Sequence, residues 1–518
     1  MTRRLITAAC IATALGALAS FALPALASES QAATLRHIDA SGFTLSPSPA
    51  GIDYGSMVDK VEKDPRIVKT TLDKVVTADA PARTGRAGLC HPTNLKSELK
   101  PAGFCWDADD DTSADWTPQG ITGSGDADPS GEVGGRRLIA ASWHFTDNTF
   151  ARISIADVSD ASAAPRYHHL LLVQPTADGN FTGVDNVHAD GLMWFGDRLF
   201  VATGGRLQVF STEHIWQTGT SGDDAGKVGL VGDGAYARWH GWAMPMIAEY
   251  RTGWGAGGSW KSCASVEGDD PCMNSISLAP DRTSFVTAEY YQPGAAGGRV
   301  IRWGIDAATG LPSGKATEAF ASPIWHQQGI ATDGTYFYIT GDCPGTPPPD
   351  DPNNWVCVHR AAPDGEPHVF TQGPPLTQNL SYWPQTKQLW GINERINTTE
   401  GKRVVFNIHV LADLLGAQPL AAQVSALELS LPVSTDWLVE GLGEGSAGPA
   451  RPSHGTVNRL ARVMATVTAS TMKGNRRSRR AVRASYRSSS RTSATRSSNS
   501  ERSSGMTTLP HSSGRPGM

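Results

Sequence analysis

The chain alternates short apolar runs with turns, and one such pattern recurs five times between residues 118 and 395. Each copy places a small polar or amide residue before an apolar strand, which a turn joins to a second strand. The clearest copies occupy residues 191–203 and 329–340 and match nearly position for position. Apolar runs of this length, alternating or continuous, are typical of β-strands. The repetition indicates an array of similar units, because one unit cannot bury its apolar face alone.

Two further strands follow in each repeat, so the pattern predicts four strands per unit. The third strands are predicted at residues 151–157, 206–211, 299–305, 357–360 and 403–408, and the more variable fourth strands at 168–174, 246–251, 317–321, 368–371 and 426–431. Repeated four-stranded units favour an all-β fold, a β-propeller with five four-stranded blades for preference and six as the alternative. A two-sheet sandwich would not account for a repeated phrase.

The repeated phrase resembles the blades of NHL and gluconolactonase-type β-propellers. Those blades often read Pro-x-Gly-Ile, then a Gly or Asp turn, then Leu-Tyr-Val, and the first copy here begins Pro118-Gln119-Gly120-Ile121. The resemblance implies a propeller and concerns blade construction more than activity. For the gluconolactonase type it also implies a central set of Asp, Glu and Asn side chains that hold a metal ion.

The N-terminal region differs from the repeats. Residues 1–32 combine the basic pair Arg3-Arg4 with an apolar run and a small-residue exit, which is the pattern of a secretory signal peptide. A retained N-terminal anchor is the alternative interpretation. Residues 33–89 form an extension with one predicted helix at 54–76, interrupted at Pro65. A propeptide, a linker or a strap across the domain would each fit this extension.

The propeller domain is predicted at residues 90–442, followed by a basic tail at 443–518. The tail is rich in Arg and Ser with almost no apolar periodicity, a composition typical of disorder. It fits a basic arm for anionic polymers, and it equally fits an out-of-frame translation. Outside the signal peptide no apolar run is long enough for a membrane helix, so we expect no membrane span.

Six cysteines remain once Cys10 leaves with the signal peptide. They fall in close sequential pairs, although six cysteines allow about fifteen pairings. Disulfides are typical of exported proteins, and the cysteine spacing does not match a zinc site. We predict the disulfides Cys90–Cys105, Cys263–Cys272 and Cys343–Cys357.

Charge is distributed unevenly along the chain. Residues 451–518 carry 13 arginines and Lys473 against one acid, Glu501, which leaves residues 1–450 with 31 basic and 49 acidic side chains, a net charge of −18. An acidic body argues against nucleic acid as its main partner, because phosphate contacts need clustered Lys and Arg.

The candidate site lies where the first strands of the units begin. In a propeller these strands line the central channel, so polar residues at their starts should form a ring at its mouth. The residue before each repeated Gly position is an amide or a carboxylate, and matched histidines stand two positions earlier on the same face of two strands. The candidate ligand-binding residues of this mouth are Gln119, His188, Asp190, Asn274, His326, Gln328 and Asn379.

Two kinds of role are open for this ring. The side chains would simply pair with one another and with buried backbone, since buried polar groups need partners. Alternatively they would hold a polar ligand such as a glycan, or a hard cation such as Ca²⁺, which takes six to eight oxygen ligands. Asp190, Asn274 and Asn379 are the candidate metal ligands, and Asp190 alone among the ring residues carries a negative charge.

Two further features lie near the predicted channel. The second strands end at His144, Glu289 and Asp342, which could supply acid–base groups or ligands, although most acids at strand ends are solvated turn residues. The insertion between the second and third units is rich in tryptophan. Trp242 is the candidate for stacking on a sugar ring, with capping of a blade edge as the alternative.

The sequence therefore predicts a secreted, extracellular and monomeric propeller that binds a glycan or other small polar ligand at its central mouth. Two alternatives remain, a metal-dependent hydrolase or lyase acting on carbohydrates or lactones, and a secreted developmental or signalling factor. The motifs of serine hydrolases, zinc proteases and nucleotide-binding enzymes are absent from the sequence. Whether the protein is an enzyme, and which residues would be catalytic, stays open.

Overall fold

The computed structural model describes residues 34–48, 51–254, 263, 270–291, 298–344, 355–394 and 402–410. The predicted signal peptide, the basic tail and the fourth strand predicted at 426–431 lie outside these residues. Within the described part, strands dominate, and the five repeats form five antiparallel units of four strands each.

Strands one to four of each unit pair in sequence along the chain, except in the fifth unit. The third strands at Ala151–Asp157 and Arg206–Ser211 begin and end where the sequence pattern predicts. The first unit contains Trp116–Gly123, Leu138–Phe145, Ala151–Asp157 and Arg166–Pro175; the second Gly191–Phe195, Arg198–Thr203, Arg206–Ser211 and Trp242–Trp254; the third Ser275–Leu278, Ser284–Ala288, Gly298–Ile305 and Pro312–Ser322; the fourth Gly329–Thr332, Phe337–Asp342, Trp355–Ala361 and His368–Pro375; the fifth Thr377–Trp383, Gln388–Asn393 and Val404–His409.

The first strand of each unit contacts the first strands of the two neighbouring units, so the five inner strands close into a ring. Inner strands such as Ser275–Leu278 and Gly329–Thr332 are buried along their whole length. This burial on both faces explains their continuous apolar runs. Radial units around closed inner strands are a β-propeller, which confirms the predicted fold class.

The hydrophobic core lies between neighbouring units rather than within any one of them. One cluster joins Trp143 of the first unit to Trp383 and Trp390 of the fifth, and another joins Leu138 to Leu192 of the second. The fourth and fifth units meet through Phe370 and other apolar side chains. Because each face is covered only by its neighbour, the units are stable as a closed set.

The outer strand of the fifth unit comes from the N-terminal side of the chain. Ala102–Cys105 pairs antiparallel with Val404–His409, and Arg86–Ala87 pairs with Ala102–Cys105 in turn. The sequence pattern predicts the outer strand of this unit at residues 426–431, which lie outside the described residues. The first and last parts of the described chain thus share one sheet and close the ring.

The extension before the first unit lies along the outer strands. Arg36–His37 and Phe43–Pro47 pair with Pro312–Ser322, and Phe43–Pro47 also pairs with Trp242–Trp254. The single helix predicted at 54–76 is two helices, Tyr54–Val61 and Leu72–Thr77, with Pro65 between them. Asp53 and Thr71 cap their first turns through side-chain oxygens, which satisfies free N–H groups there. The remaining elements are strands Val68–Thr70, Arg83–Thr84, Phe181–Gly183, Ile215–Gln217, Val228–Val231 and Gly234–Ala237, helices Ala108–Thr112 and Ser124–Ala127, and the 3₁₀ helix Ser97–Leu99.

All three predicted disulfides are confirmed. Cys90–Cys105, Cys263–Cys272 and Cys343–Cys357 have Cα–Cα distances of 6.2, 5.1 and 4.9 Å. No helix in the described part of the chain is long and apolar enough to cross a membrane.

Candidate functional site

The inner strands carry one glycine position at which they approach each other too closely for a side chain. A Cβ added to Gly191 would lie 2.7 Å from the backbone nitrogen of Ile276, and one added to Gly329 would lie 2.3 Å from the carbonyl of Gln378. The polar residue just before this position therefore marks the level at which the channel opens.

In the fifth unit this register differs by one residue from the sequence-based assignment. A β-bulge precedes Leu380, which pairs with Gly391, and an equivalent bulge precedes Ile121 in the first unit. Asn379 thus occupies the crowded glycine position, and Gln378 is the fifth member of the polar ring. We call the ends of the five inner strands and their neighbouring side chains the polar mouth; its ring members are Gln119, Asp190, Asn274, Gln328 and Gln378.

Asn379 is a structural residue of the channel axis. It is 0 % exposed, and its Oδ1 accepts a hydrogen bond from the Ile276 backbone N–H at 3.1 Å. Its Nδ2 donates to the carbonyls of Ile121 and Leu192 at 3.0 and 3.2 Å. One side chain therefore links inner strands of four units, and its amide is fully used by the backbone.

A histidine–carboxylate pair stands at the second unit's side of the mouth. The His188 Nδ1 lies 3.1 Å from Asp190 Oδ1, and the His188 side chain is 40 % exposed. Burial lowers the pKa of His188, but the Asp190 carboxylate more than offsets this and raises the pKa above its ordinary value. Burial likewise acts to raise the pKa of Asp190, yet its contacts with His188, Asn274 and the Gly204 N–H leave that pKa lowered. Each member of the pair therefore favours the charged form of the other.

His144, at the end of the first unit's second strand, stacks on His188. The two rings lie 4.2 Å apart with an angle of 24° between their planes. His144 Nδ1 donates to the carbonyl of Phe145 at 2.9 Å, and burial together with the charge of His188 lowers the pKa of His144 to about 4. Its Nε2 is buried and makes no hydrogen bond of good geometry, although the Asn148 side chain lies close enough to act on the pKa of His144. At neutral pH this atom is an acceptor, because the ring's proton sits on Nδ1.

Gln119 adds an unused donor on the same side. It is 1 % exposed, and its Nε2 is buried without a hydrogen-bond partner. Such an orphaned polar group costs about 1–3 kcal/mol unless a ligand or water pairs with it. Unpaired donor and acceptor atoms at one opening are therefore the strongest chemical signal of the polar mouth.

The opposite side of the ring is internally paired. Gln378 Nε2 donates to Gln328 Oε1 and to Glu394 Oε2, the latter at 2.8 Å. Asn274 bridges the two sides, since its Nδ2 lies 3.4 Å from Asp190 Oδ1 and its Oδ1 accepts from the Tyr290 N–H. Neither Gln378 nor Glu394 was identified from the sequence; aligning the apolar residue of each copy, rather than its glycine, would have found Gln378.

His326 and Glu289, which the sequence also singles out, each pair with a charged side chain. His326 Nδ1 contacts Asp342 Oδ2 at 2.8 Å, and its ring is 5.2 Å from that of Tyr290. Glu289 is fully buried and ion-paired with Arg299 at 2.6 Å, so it is a structural residue rather than an acid–base group open to solvent.

Trp242 does not belong to the mouth. It is 6 % exposed, lies at the start of the second unit's outer strand and packs edge-on against His168 at 5.1 Å. This position leaves little of its ring open to stack on a sugar and agrees with the alternative of capping a blade edge. Among the tryptophans of this insertion whose side chains are described, Trp239 is 60 % exposed.

The predicted calcium ligands fit a Ca²⁺ shell poorly. The Asn379 and Asn274 oxygens accept backbone hydrogen bonds, and Asp190 already contacts His188, Asn274 and the Gly204 N–H. A shell of six to eight oxygens would need these to be released. Elsewhere in the described residues, Cys90, His91 and Cys105 cluster closely enough for a metal, but the two cysteines form a disulfide.

No protein-family model matches the chain, and no curated protein sequence matches it. Solved structures with similar folds include a GH43_1 enzyme from Xanthomonas citri complexed with xylotriose, at 9% identity and TM-score 0.31 over 60% of this chain and 92% of that one. A putative 6-phosphogluconolactonase from Bacteroides uniformis has 15% identity and TM-score 0.24, over 52% and 67%. The hydrazine synthase of Kuenenia stuttgartiensis has 12% identity and TM-score 0.26, over 53% and 73%. The fold assignment rests on the strand pairing and not on these similarities.

Proposed function

We propose that this propeller binds a small, uncharged, polyhydroxylated ligand, a glycan, at the polar mouth. The observation that carries the proposal is the pair of buried atoms without partners, the Gln119 Nε2 donor and the His144 Nε2 acceptor, beside the exposed ring of His188. A sugar hydroxyl both donates and accepts, so adjacent hydroxyls can satisfy these two atoms.

The neighbouring groups favour recognition over metal binding. Asp190 fixes the orientation of His188, and the stacked imidazoles of His144 and His188 give the mouth a flat wall. At this side of the mouth the Asp190 carboxylate contacts His188, and each group favours the charged form of the other. A neutral ligand suits such a wall better than an ion, since it requires no new charge partner.

The proposal is tested by titrating the protein with neutral trisaccharides of glucose, xylose and mannose, followed by calorimetry and by NMR saturation transfer. Gln119→Leu should weaken binding about threefold to tenfold, the value of one neutral hydrogen bond. Asp190→Asn should also weaken it, because His188 loses its orienting carboxylate. Gln388→Leu is the matched control, as Gln388 also carries a buried oxygen without a partner, at the far end of the fifth unit's second strand. Absence of binding by the wild type, or equal losses in the control, would contradict the proposal.

The metal-dependent hydrolase remains the second hypothesis, and metal analysis separates it from the first. Protein stripped with EDTA and reloaded should retain no stoichiometric Ca²⁺ if the mouth is a neutral glycan site. Stoichiometric calcium that is lost in Asp190→Asn would instead favour the enzyme hypothesis. Export is part of the same proposal and is compatible with the three disulfides.

A further inference from the structure

A cavity of about 270 Å³ opens beside the first unit, and none of its lining residues belongs to the polar mouth. The extension contributes Arg83, the first unit contributes Trp116, Arg152 and His169, and the insertion contributes a segment from Arg238 to Gly241. Three separate parts of the sequence thus converge on one small space lined by arginine, histidine and tryptophan side chains.

Two of the three arginines are already matched by carboxylates. Arg83 Nη1 contacts Asp107 Oδ2 at 2.6 Å, and Arg152 Nη2 contacts Asp110 Oδ1 at 2.5 Å. Arg152 is 5 % exposed, and its Nε is buried without a hydrogen-bond partner. A buried guanidinium N–H without a partner in a cavity wall is a donor available to a ligand.

Arg238 differs from the other two arginines of the cavity. It forms no ion pair with a carboxylate among the described residues, and its guanidinium instead lies over Phe145 and Phe150, at 4.4 and 4.5 Å from the ring centres. The rings hold the side chain in place without neutralising it. Asp147 lies near enough to interact with this charge but makes no direct contact, so the guanidinium N–H donors of Arg238 are open to a ligand.

The backbone that presents Arg238 is in an uncommon conformation. Arg238 and Trp239 have φ angles of +48° and +61°, in the left-handed region that non-glycine residues rarely adopt. The strain places Arg238 against the aromatic rings and leaves Trp239 60 % exposed. Strained residues of this kind cluster at ligand sites, where the surrounding structure maintains them.

The cavity histidines add polarity without charge. Burial, together with the nearby Arg152, lowers the pKa of His169 to about 4 and that of His240 to about 3. His240 Nδ1 lies 2.9 Å from the Ala237 carbonyl and so carries the proton, which leaves Nε2 as an acceptor. Both histidines are neutral at physiological pH, so the charged donors of the cavity are its arginines.

We propose that this cavity binds a small ring-bearing monocarboxylate, with its carboxylate on Arg238 and the Arg152 Nε–H and its ring against Trp239 and Trp116. A single carboxylate matches the one lining guanidinium that forms no ion pair among the described residues, and arginine is well suited to carboxylate geometry. The volume lies just below the range of about 300–1,000 Å³ for drug-sized pockets, which favours a ligand with one ring. Tryptophan faces pack on aromatic and on sugar rings alike.

The test is calorimetric titration of the full chain with benzoate and glucuronate, which separate an aromatic acid from a sugar acid. Benzamide and glucose serve as neutral counterparts of the same shape, and inorganic phosphate as a ring-free anion. At least one of the two acids should bind, and its neutral counterpart should bind about tenfold more weakly or worse, because it lacks the charge-assisted hydrogen bonds.

Arg238→Gln should weaken binding of the acid about tenfold or more, and Trp239→Ala should weaken it as well while leaving the fold intact, since Trp239 is exposed. Arg137→Gln is the matched control, because Arg137 makes a similar cation–π contact, with Trp383, outside the cavity. The proposal would be overturned if neither acid bound at about 10 mM, a concentration that detects dissociation constants in the millimolar range. Equal binding of acid and neutral counterpart, or equal losses in Arg137→Gln, would overturn it as well. A response to phosphate alone would show an anion site without ring recognition and would equally overturn it.

Discussion

Asn379→Ala should destabilise the propeller more than the loss of any one ordinary side-chain hydrogen bond. The Asn379 amide is fully buried at the channel axis and makes three hydrogen bonds, at 3.0, 3.1 and 3.2 Å, to the backbone of three other inner strands. Each neutral hydrogen bond contributes about 0.5–1.5 kcal/mol, and an unpaired buried N–H, here that of Ile276, costs about 1–3 kcal/mol. A loss of about 2–4 kcal/mol in the free energy of unfolding follows.

The assay is equilibrium urea unfolding without reductant, followed by tryptophan fluorescence. Asn407→Ala is the matched control, because Asn407 is also buried but its side chain accepts one bond, from Gln388 Nε2 at 2.9 Å. It should cost only about 1 kcal/mol. Asn379→Asp should cost more than Asn379→Ala at neutral pH, since its carboxylate would face the carbonyls of Ile121 and Leu192, and the excess should shrink as the pH falls.

A loss in Asn379→Ala no larger than that in Asn407→Ala would refute this reasoning. It would mean that water entering the vacated space replaces the three bonds at little cost. The inner strands would then be held by apolar contacts between units alone.

Three further predictions concern titrating and orphaned groups. Burial raises the pKa of Asp126 to about 6, so the folded protein favours the protonated carboxyl, and this stabilisation is present at low pH and lost as the pH rises. Asp126→Asn should therefore raise the free energy of unfolding at pH 7 by up to about 3 kcal/mol. A gain that persists below about pH 4 would contradict this. Because the pKa of His188 is raised in the folded protein, protonated His188 stabilises the fold at pH values below its ordinary pKa of 6.5, and this stabilisation is lost as the pH rises through the raised pKa. The free energy of unfolding of His188→Gln, measured between about pH 6 and pH 8, should lack this pH dependence. Gln119→Leu should leave the free energy of unfolding unchanged or slightly increased, because it removes an unpaired buried donor; a clear loss in urea unfolding would show that Gln119 has a structural partner.

Local features of the fold were accessible from the sequence because they depend on neighbouring residues. Apolar runs between turns predict strands such as Ala151–Asp157, and strands joined by short connections pair with each other. The disulfides were predictable for the same reason, since each joins cysteines only 9 to 15 residues apart. Repetition of the phrase then indicated the propeller.

The candidate sites were only partly accessible. Gln378 and Asn379 exchange roles because Asn379, and not Leu380, occupies the glycine position of the fifth copy. Aligning the copies on their apolar residue would have shown this, since the first copy has the same bulge. Asn379, which the sequence pattern predicts as a ligand-binding residue, instead links the inner strands at the channel axis. The stacked His144 and His188 come from different units, and their contact depends on the ring closing.

The sequence by itself determined the class of unit, its strands and its local crosslinks, because these follow from side-chain alternation and short separations along the chain. Tertiary structure alone decided that Ala102–Cys105 completes the last unit, and that Arg83, Arg152 and Arg238 line one cavity. Such contacts join residues that are distant in sequence, and they depend on how whole units pack around an axis. No periodicity along the chain encodes that packing, since it is settled by the burial of many apolar faces at once.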